Sequence, residues 1–210
     1  METRMDGMTT SVRFLQEENH RLRQQNENLK EELSYLQKCF KSIRGLQRAI
    51  TRLDTKSDLM PLLDRILYEA LRVVDAIDGS LMLIDQETQE LVFVVVRGEL
   101  QEQLQNYRMP YNQGIAGWVV THQEPTISND ITQDKRFYDA IDQTFHFSTR
   151  SLLCVPLVSR GKILGVIETI NKFSGFPFDE RDIEMLSTWA SIAALTIDLV
   201  DLESEQTDST

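Results

Sequence analysis

From Val12 to Ile43 the chain carries a seven-residue rhythm. Val12, Leu15, Asn19, Leu22, Asn26, Leu29, Leu33, Leu36, Phe40 and Ile43 follow at alternating spacings of three and four, with Glu, Arg, Lys and Gln between them. Such a repeat puts one narrow stripe along a helix, the width of a coiled-coil seam. Leu22 and Leu29 fall on the d positions and Asn19 and Asn26 on successive a positions. Asparagine at a weakens a seam but hydrogen-bonds across a parallel two-stranded one and penalises other registers. The pattern predicts a parallel homodimeric coiled coil over residues 12–45, after a disordered N-terminus at 1–11.

Beyond Ile43 the phase shifts. Leu46, Ile50 and Leu53 follow with two spacings of three in a row around Gly45, a stammer that overwinds a coiled coil locally. Lys38, Lys41, Arg44, Arg48 and Arg52 form a basic stripe there, read as a solvated face. A break is expected at Asp54 to Asp58, with Asp58 as N-cap and Pro61 in the first turn of the next helix. Leu62, Leu63, Ile66, Leu67, Ala70, Leu71 and Val74 make that helix's broad apolar face, closed by Gly79.

Strand-like runs then come in two pairs. Ser80 to Ile84 and Leu91 to Val96 flank a polar link, and Leu152 to Val158 and Ile163 to Ile170 flank a tight turn at Ser159 to Lys162. Leu91 to Val96 is apolar on both faces, so its sheet should be covered on both sides. Between the hairpins, Gly114 to Val120 reads as a short helix and Asp134 to Phe147 as helical or irregular with aromatic anchors. A last helix runs from about Asp179 to Val200, with Ile183, Leu186, Ala190, Ala193, Ile197 and Val200 at three-four spacing, and 201–210 reads as a disordered acidic tail.

The charge narrows the partners. A formal net charge of −11 over 210 residues disfavours nucleic acid and anionic membranes. Cys39 and Cys154 are far apart and have no metal-ligand spacing, which fits a reduced, cytoplasmic protein. No signal-peptide core and no apolar run of membrane-spanning length is evident in the sequence.

The element order, together with particular residues, resembles a GAF domain over about 46–200. The residues that carry the resemblance are Gly114-Ile115-Ala116-Gly117-Trp118-Val119, Glu124-Pro125, Asn129-Asp130-Ile131, Asp134-Lys135-Arg136-Phe137, Arg150 to Leu157, Gly165-Val166-Ile167, and Asn171-Lys172 leading to Phe178. The resemblance implies an α+β fold: a central antiparallel sheet with the terminal helices on one face and a helix/loop insert over a ligand pocket on the other. It also implies a small-molecule-sensing, dimerising module of signalling proteins.

Several chemistries can be weighed against the residues. Cyclic-nucleotide-binding members of the family carry Asn-Lys, a Phe, three residues and Asp-Glu. Asn171, Lys172, Phe178 and Asp182 match, whereas Ile183 stands where the family has Glu. In the family the lysine and aspartate are a supporting ion pair, so these four residues form a structural motif, not a ligand contact. Bilin attachment lacks its Cys-His pair. Methionine sulfoxide reduction lacks its thiolate, because Ala116 stands at the nucleophile's place. His20, His122 and His146 are scattered, and no hydrolase triad, zinc motif or phosphate loop occurs.

The residues therefore point to a non-catalytic homodimeric sensor without cofactor or metal. It would bind an unknown small molecule and relay the change through its coiled coil, serving itself as dimer partner and an unidentified output protein. A dimerisation or docking scaffold with a self-filled pocket, and a cyclic-nucleotide-binding domain, remain the alternatives. The pocket is expected to be bordered by Trp118, Asp130, Phe137 and Glu168. Leu186 and Ile197 are expected in the dimer interface. Glu168 is the most pointed of these: a carboxylate on a strand face otherwise made of Leu164, Val166 and Ile170 wants a partner.

Overall fold

The structure is a computed structural model that describes the backbone of residues 2–50 and 59–208, and the side chains of most residues in 13–44 and all of those in 59–200. The expected break at Asp54 to Asp58, the Asp58 cap and Leu53 lie outside the described residues. So do the side chains of Val12, Cys39, Leu46 and Ile50, and those of Lys38, Lys41, Arg48 and Arg52 in the basic stripe. Residues 1–43 form one unit and residues 44–210 a second.

The first unit is helical throughout its described residues, and its helix, α1, spans Glu2–Ile50. It therefore also covers the segment read as a disordered N-terminus. Leu15, Leu22, Leu29, Leu33, Leu36, Phe40 and Ile43 are each more than half exposed in the single chain. The heptad stripe thus lies open along the helix, beside local ion pairs such as Arg21 with Glu18.

In the second unit, α2 (Leu59–Val74) buries the face predicted for it, Leu62, Leu63, Ile66, Leu67, Ala70, Leu71 and Val74. It ends earlier than Gly79. Asp75 takes a left-handed backbone, φ 58°, and turns the chain directly into β1 (Ala76–Asp85). Gly79 instead lies inside β1, because a Cβ there would stand 2.6 Å from the Glu168 carbonyl oxygen and 2.8 Å from the Leu71 side chain. The glycine lets helix and neighbouring strand close on the same point.

β1 pairs antiparallel with β2 (Glu90–Arg97) and with β6 (Lys162–Lys172), and β6 pairs with β5 (Leu152–Ser159). Two short strands absent from the sequence reading, β3 (Arg108–Pro110) and β4 (Thr126–Ser128), complete the edges. The six-stranded order is β3-β2-β1-β6-β5-β4. Each edge strand is only three residues long, which leaves little unpaired backbone for another chain to join.

The sheet is covered on both sides, as the two-faced β2 requires. On one side α2 and α6 (Glu180–Asp208) pack on Leu81, Val155 and Ile167. On the other, α3 (Gln101–Leu104), α4 (Gly114–His122) and α5 (Ala140–Phe145) lie with their loops over Met82, Phe93, Cys154 and Val166. The backbone of α6 runs on through 201–208, beyond the end predicted at Val200. By length and composition alone, its Glu180–Val200 stretch is apolar enough to cross a membrane. Its Leu186, Trp189, Ala190, Ala193, Ala194 and Ile197, however, belong to the core against the sheet and α2.

Leu186 and Ile197, expected in the dimer interface, are 0% and 5% exposed in the single chain and pack inside the domain core. Among the described residues of α6, the large apolar side chains left exposed are Leu195 and Leu199, one turn apart.

Hydrogen bonds fix α6 to β6 near both ends of the strand. Lys172 Nζ pairs with Asp182 Oδ2. At the other end, Ser159 Oγ and Arg160 Nε, in the β5–β6 turn, both reach Asp198 Oδ2, at 3.1 and 2.9 Å.

Candidate functional site

The insert face is built from loops that stabilise themselves. Asn112 packs so closely on α4 that a Cβ on Gly117 would fall 2.4 Å from its carbonyl carbon, which calls for glycine at that position. Asp130 accepts from the backbone N–H and hydroxyl of Thr132, at 3.1 and 2.6 Å, starting a 3-10 turn at Ile131–Gln133. Arg136 grips Asp134 with two nitrogens, at 2.9 and 2.7 Å, and also donates to Thr126 on β4. That guanidinium holds the Asp134 carboxyl down at about 2.

Trp118 has two polar neighbours on its ring. The His122 ring stacks on it at 4.3 Å, and the Arg136 guanidinium lies 4.8 Å from its ring centre. Tyr107 stands edge-on to both Phe93 and Phe145, a column of rings beside β2. Asp142 accepts from the N–H and the hydroxyl of Thr149, both at 2.8 Å, and so ties α5 to the start of β5.

Asn171 fastens the same loop from beneath. In a left-handed conformation, φ 57°, it accepts from the Arg150 N–H at 2.9 Å and donates to the Ser148 carbonyl at 2.9 Å. Asn129 performs a similar double exchange with the backbone of Phe178, at 2.8 and 3.0 Å. Asparagine suits such positions because one side chain supplies both a donor and an acceptor, and it tolerates the left-handed backbone.

Between these loops and the sheet lies a cavity of about 80 Å³. Its walls are mainly apolar: Phe93, Leu100, Ile115, Phe137, Ile141 and Phe147 among them. Of the four residues expected to border a pocket, Phe137 and Glu168 do so. Trp118 and Asp130 are outside the lining, because one is held in the His122–Arg136 stack and the other is used as the cap of the 3-10 turn. Of the four aromatics in the segment 134–147, Phe137, Tyr138 and Phe147 line the cavity and Phe145 packs on Tyr107.

The cavity floor holds two polar side chains on paired positions of adjacent strands, Ser80 on β1 and Glu168 on β6. Ser80 is 3% exposed, and its hydroxyl has no hydrogen-bond partner. Glu168 is 8% exposed, and among the described residues its carboxyl receives the thiol of Cys154, its partner on β5. Burial pushes Glu168 up to about 7, and the Cys154 hydrogen bond pulls against that rise. Burial, and then the nearby carboxylate, push the Cys154 thiol well above its ordinary range, so it stays a protonated core residue. Periodicity exposed Glu168 in the sequence; nothing in the sequence marked Ser80, whose significance comes entirely from strand register.

The arrangement offers hydrogen-bonding groups and charge on an apolar background. Among the described residues there is no group of three His, Cys, Asp or Glu placed to hold a metal ion.

Comparison with known proteins agrees with this architecture. A family model described as GAF domain matches residues 57–198. The dual 3′,5′-cyclic-AMP and -GMP phosphodiesterase 11A of Takifugu rubripes is 39% identical over 92 residues, 43% of this chain and 10% of that protein. A probable 3′,5′-cyclic phosphodiesterase of Caenorhabditis elegans is 27% identical over 142 residues, 63% of this chain and 19% of that protein. The chain thus spans a fifth or less of the length of these relatives. Among solved structures, the GAF domain of a phosphoenolpyruvate-protein phosphotransferase from Coxiella burnetii superposes with a TM-score of 0.69 at 18% identity, covering 79% of this chain and 96% of that one. The free methionine-R-sulfoxide reductase of Neisseria meningitidis, in complex with its substrate, gives 0.61 at 20% identity, covering 77% and 91%. Both likenesses concern the fold.

Proposed function

The chain belongs to the GAF domain family of small-molecule-sensing signalling modules, and on that premise we propose that it is a non-catalytic, homodimeric sensor. A small molecule enters the cavity over Ser80 and Glu168, and the resulting change is relayed through α6 and a parallel coiled coil of α1 to an output protein. The observation that carries this reading is the buried Ser80 hydroxyl, left without a hydrogen-bond partner beside Glu168 on the floor of an otherwise apolar cavity. Core positions without a ligand rarely keep a hydroxyl unsatisfied, since that costs about 1–3 kcal/mol.

The dimer rests on separate support. Seven apolar residues of the α1 stripe are exposed in the single chain, and Asn19 and Asn26 occupy the a positions that favour a parallel pair. Leu195 and Leu199 of α6 are the apolar positions available to a second copy of the domain. The acidic charge and the reduced state of Cys154 favour a cytoplasmic setting away from nucleic acid and membrane.

Two alternatives have one observation each. The small volume of the cavity favours a docking scaffold that needs no ligand. The names of the phosphodiesterase relatives favour a cyclic nucleotide, against which stands Ile183 in place of the motif's glutamate. Native mass spectrometry of the protein purified from its own host separates the three readings. The sensor predicts a dimer that retains a small mass, the scaffold a dimer that retains none, and the nucleotide reading a retained mass that cAMP or cGMP displaces. A monomer would overturn the coiled-coil assignment.

A further inference from the structure

The charge around the cavity identifies what kind of molecule belongs in it. Three carboxylates line it, Asp78, Asp142 and Glu168, against one cation, Arg97. Arg97 is committed elsewhere: its guanidinium donates to Asp64 and lies 4.9 Å from the Tyr68 ring centre. Asp78 accepts the Glu99 N–H, and Asp142 accepts twice from Thr149. On the sheet floor a ligand meets the Glu168 carboxyl, an acceptor when ionised, and the Ser80 hydroxyl, whose oxygen is free to accept. Their strand positions are directly paired, so their Cβ atoms are within about 5.5 Å and a single ligand group spans both.

An anionic group here would face three carboxylates in apolar surroundings with no free cation to meet it. The N-terminal turn of α4 also borders the cavity, but a helix end carries only about half a positive charge. A protonated nitrogen fits better on every count. It brings several donors, it neutralises Glu168, and it satisfies Ser80. The apolar walls cover a short hydrocarbon body. The space is smaller than the roughly 150 Å³ void that takes up one benzene ring.

From this balance we infer that the cavity selects a short apolar amine, held through its protonated nitrogen by Glu168 and Ser80, and rejects anions of the same shape. The inference deepens the sensor reading and rests on it. The experiment uses three probes with one carbon skeleton and different charge, isobutylamine, isobutanol and sodium isobutyrate, titrated into the full chain at pH 7.5 by NMR. The amine should bind at least tenfold more tightly than the alcohol, and the carboxylate should leave the cavity resonances unmoved. Glu168→Gln should abolish the preference for amine while alcohol binding persists, and Ser80→Ala should weaken the amine several-fold. Equal binding of amine and alcohol, or preference for the carboxylate, would overturn the inference and leave the sensing cavity standing. Failure of all three to bind would remove both.

Discussion

Lys172 Nζ meets Asp182 Oδ2 at 2.5 Å, and the same oxygen accepts the backbone N–H of Asp179 at 2.9 Å. Asp179 answers by accepting the N–H groups of Arg181 and Asp182, at 2.9 and 3.1 Å. One carboxylate therefore closes a reciprocal cap on α6 and joins that helix to the end of β6. The lysine–aspartate pair that resembles a ligand signature in sequence is a structural joint.

Removing either partner should be costly, since the side chains are only 14% and 11% exposed. Lys172→Met and Asp182→Asn should each lose about 1–3 kcal/mol of stability. The double variant should lose less than their sum. Urea unfolding of the four proteins gives the coupling directly, and strict additivity would show that the two groups do not interact.

Glu168 makes stability depend on pH in an unusual direction. Its carboxyl is raised from 4.5 to about 7, so within that window the native state holds a proton that the unfolded chain has released. Stability should therefore fall as pH rises from about 4.5 to 7, by up to about 3 kcal/mol, and level off above. Glu168→Gln should flatten this slope, with its largest advantage over the parent protein near pH 8. Asp134, lowered to about 2, acts oppositely: its contribution is complete above pH 4 and lost as pH falls through 2. Urea midpoints measured from pH 2 to 8 test both signs.

At Asn171 the side-chain bonds and the left-handed backbone make separate contributions. Asn171→Ala loses the bonds to Arg150 and Ser148 and strains φ, and should cost about 2–4 kcal/mol. Asn171→Gly loses only the bonds and should be the milder change by about 1 kcal/mol. Thermal melts rank the two, and an alanine variant as stable as the glycine one would rule out backbone strain at this position.

On α6, inward and outward leucines should fail differently. Leu186→Asp places a charge in the core and should prevent folding of the domain. The double variant Leu195→Asp, Leu199→Asp should keep the fold by circular dichroism and weaken dimerisation in sedimentation. Undiminished association would place the domain interface elsewhere.

In α1, Asn19→Leu should raise the melting temperature of the coil and relax its register, read as mixed oligomers in sedimentation velocity. A sharper single species would mean that Asn19 does not set pairing.

Much of this architecture is legible in the sequence because it depends on local periodicity. The α2 face, the two hairpins and the α4 segment follow from apolar spacing, and Glu168 stands out because it interrupts a strand face. Edge strands β3 and β4 were not legible, since three residues are too few to show a period. Leu186 and Leu195 share a helix and a residue type, and only the position of the sheet decides which one is buried. Trp118 and Asp130 misled for a related reason: an aromatic and an acid beside a glycine helix suit a pocket equally well, but their partners His122, Arg136 and Thr132 claim them first.

The two attachments of β6 to α6 bear on how the protein reaches its register in the first place. Strands that differ by one residue in pairing expose opposite faces, and a β-rich chain samples such errors as it folds. Here a one-residue slip of β6 would pull Lys172 away from Asp182, draw the Ser159–Arg160 turn from Asp198 and turn Glu168 from the cavity into the helix-covered core. Each mispairing would leave the Asp182 and Asp198 carboxylates of α6 without their partners and another carboxylate buried among leucines. The helix thus acts as a gauge for the strand: it docks fully only on the correctly registered sheet.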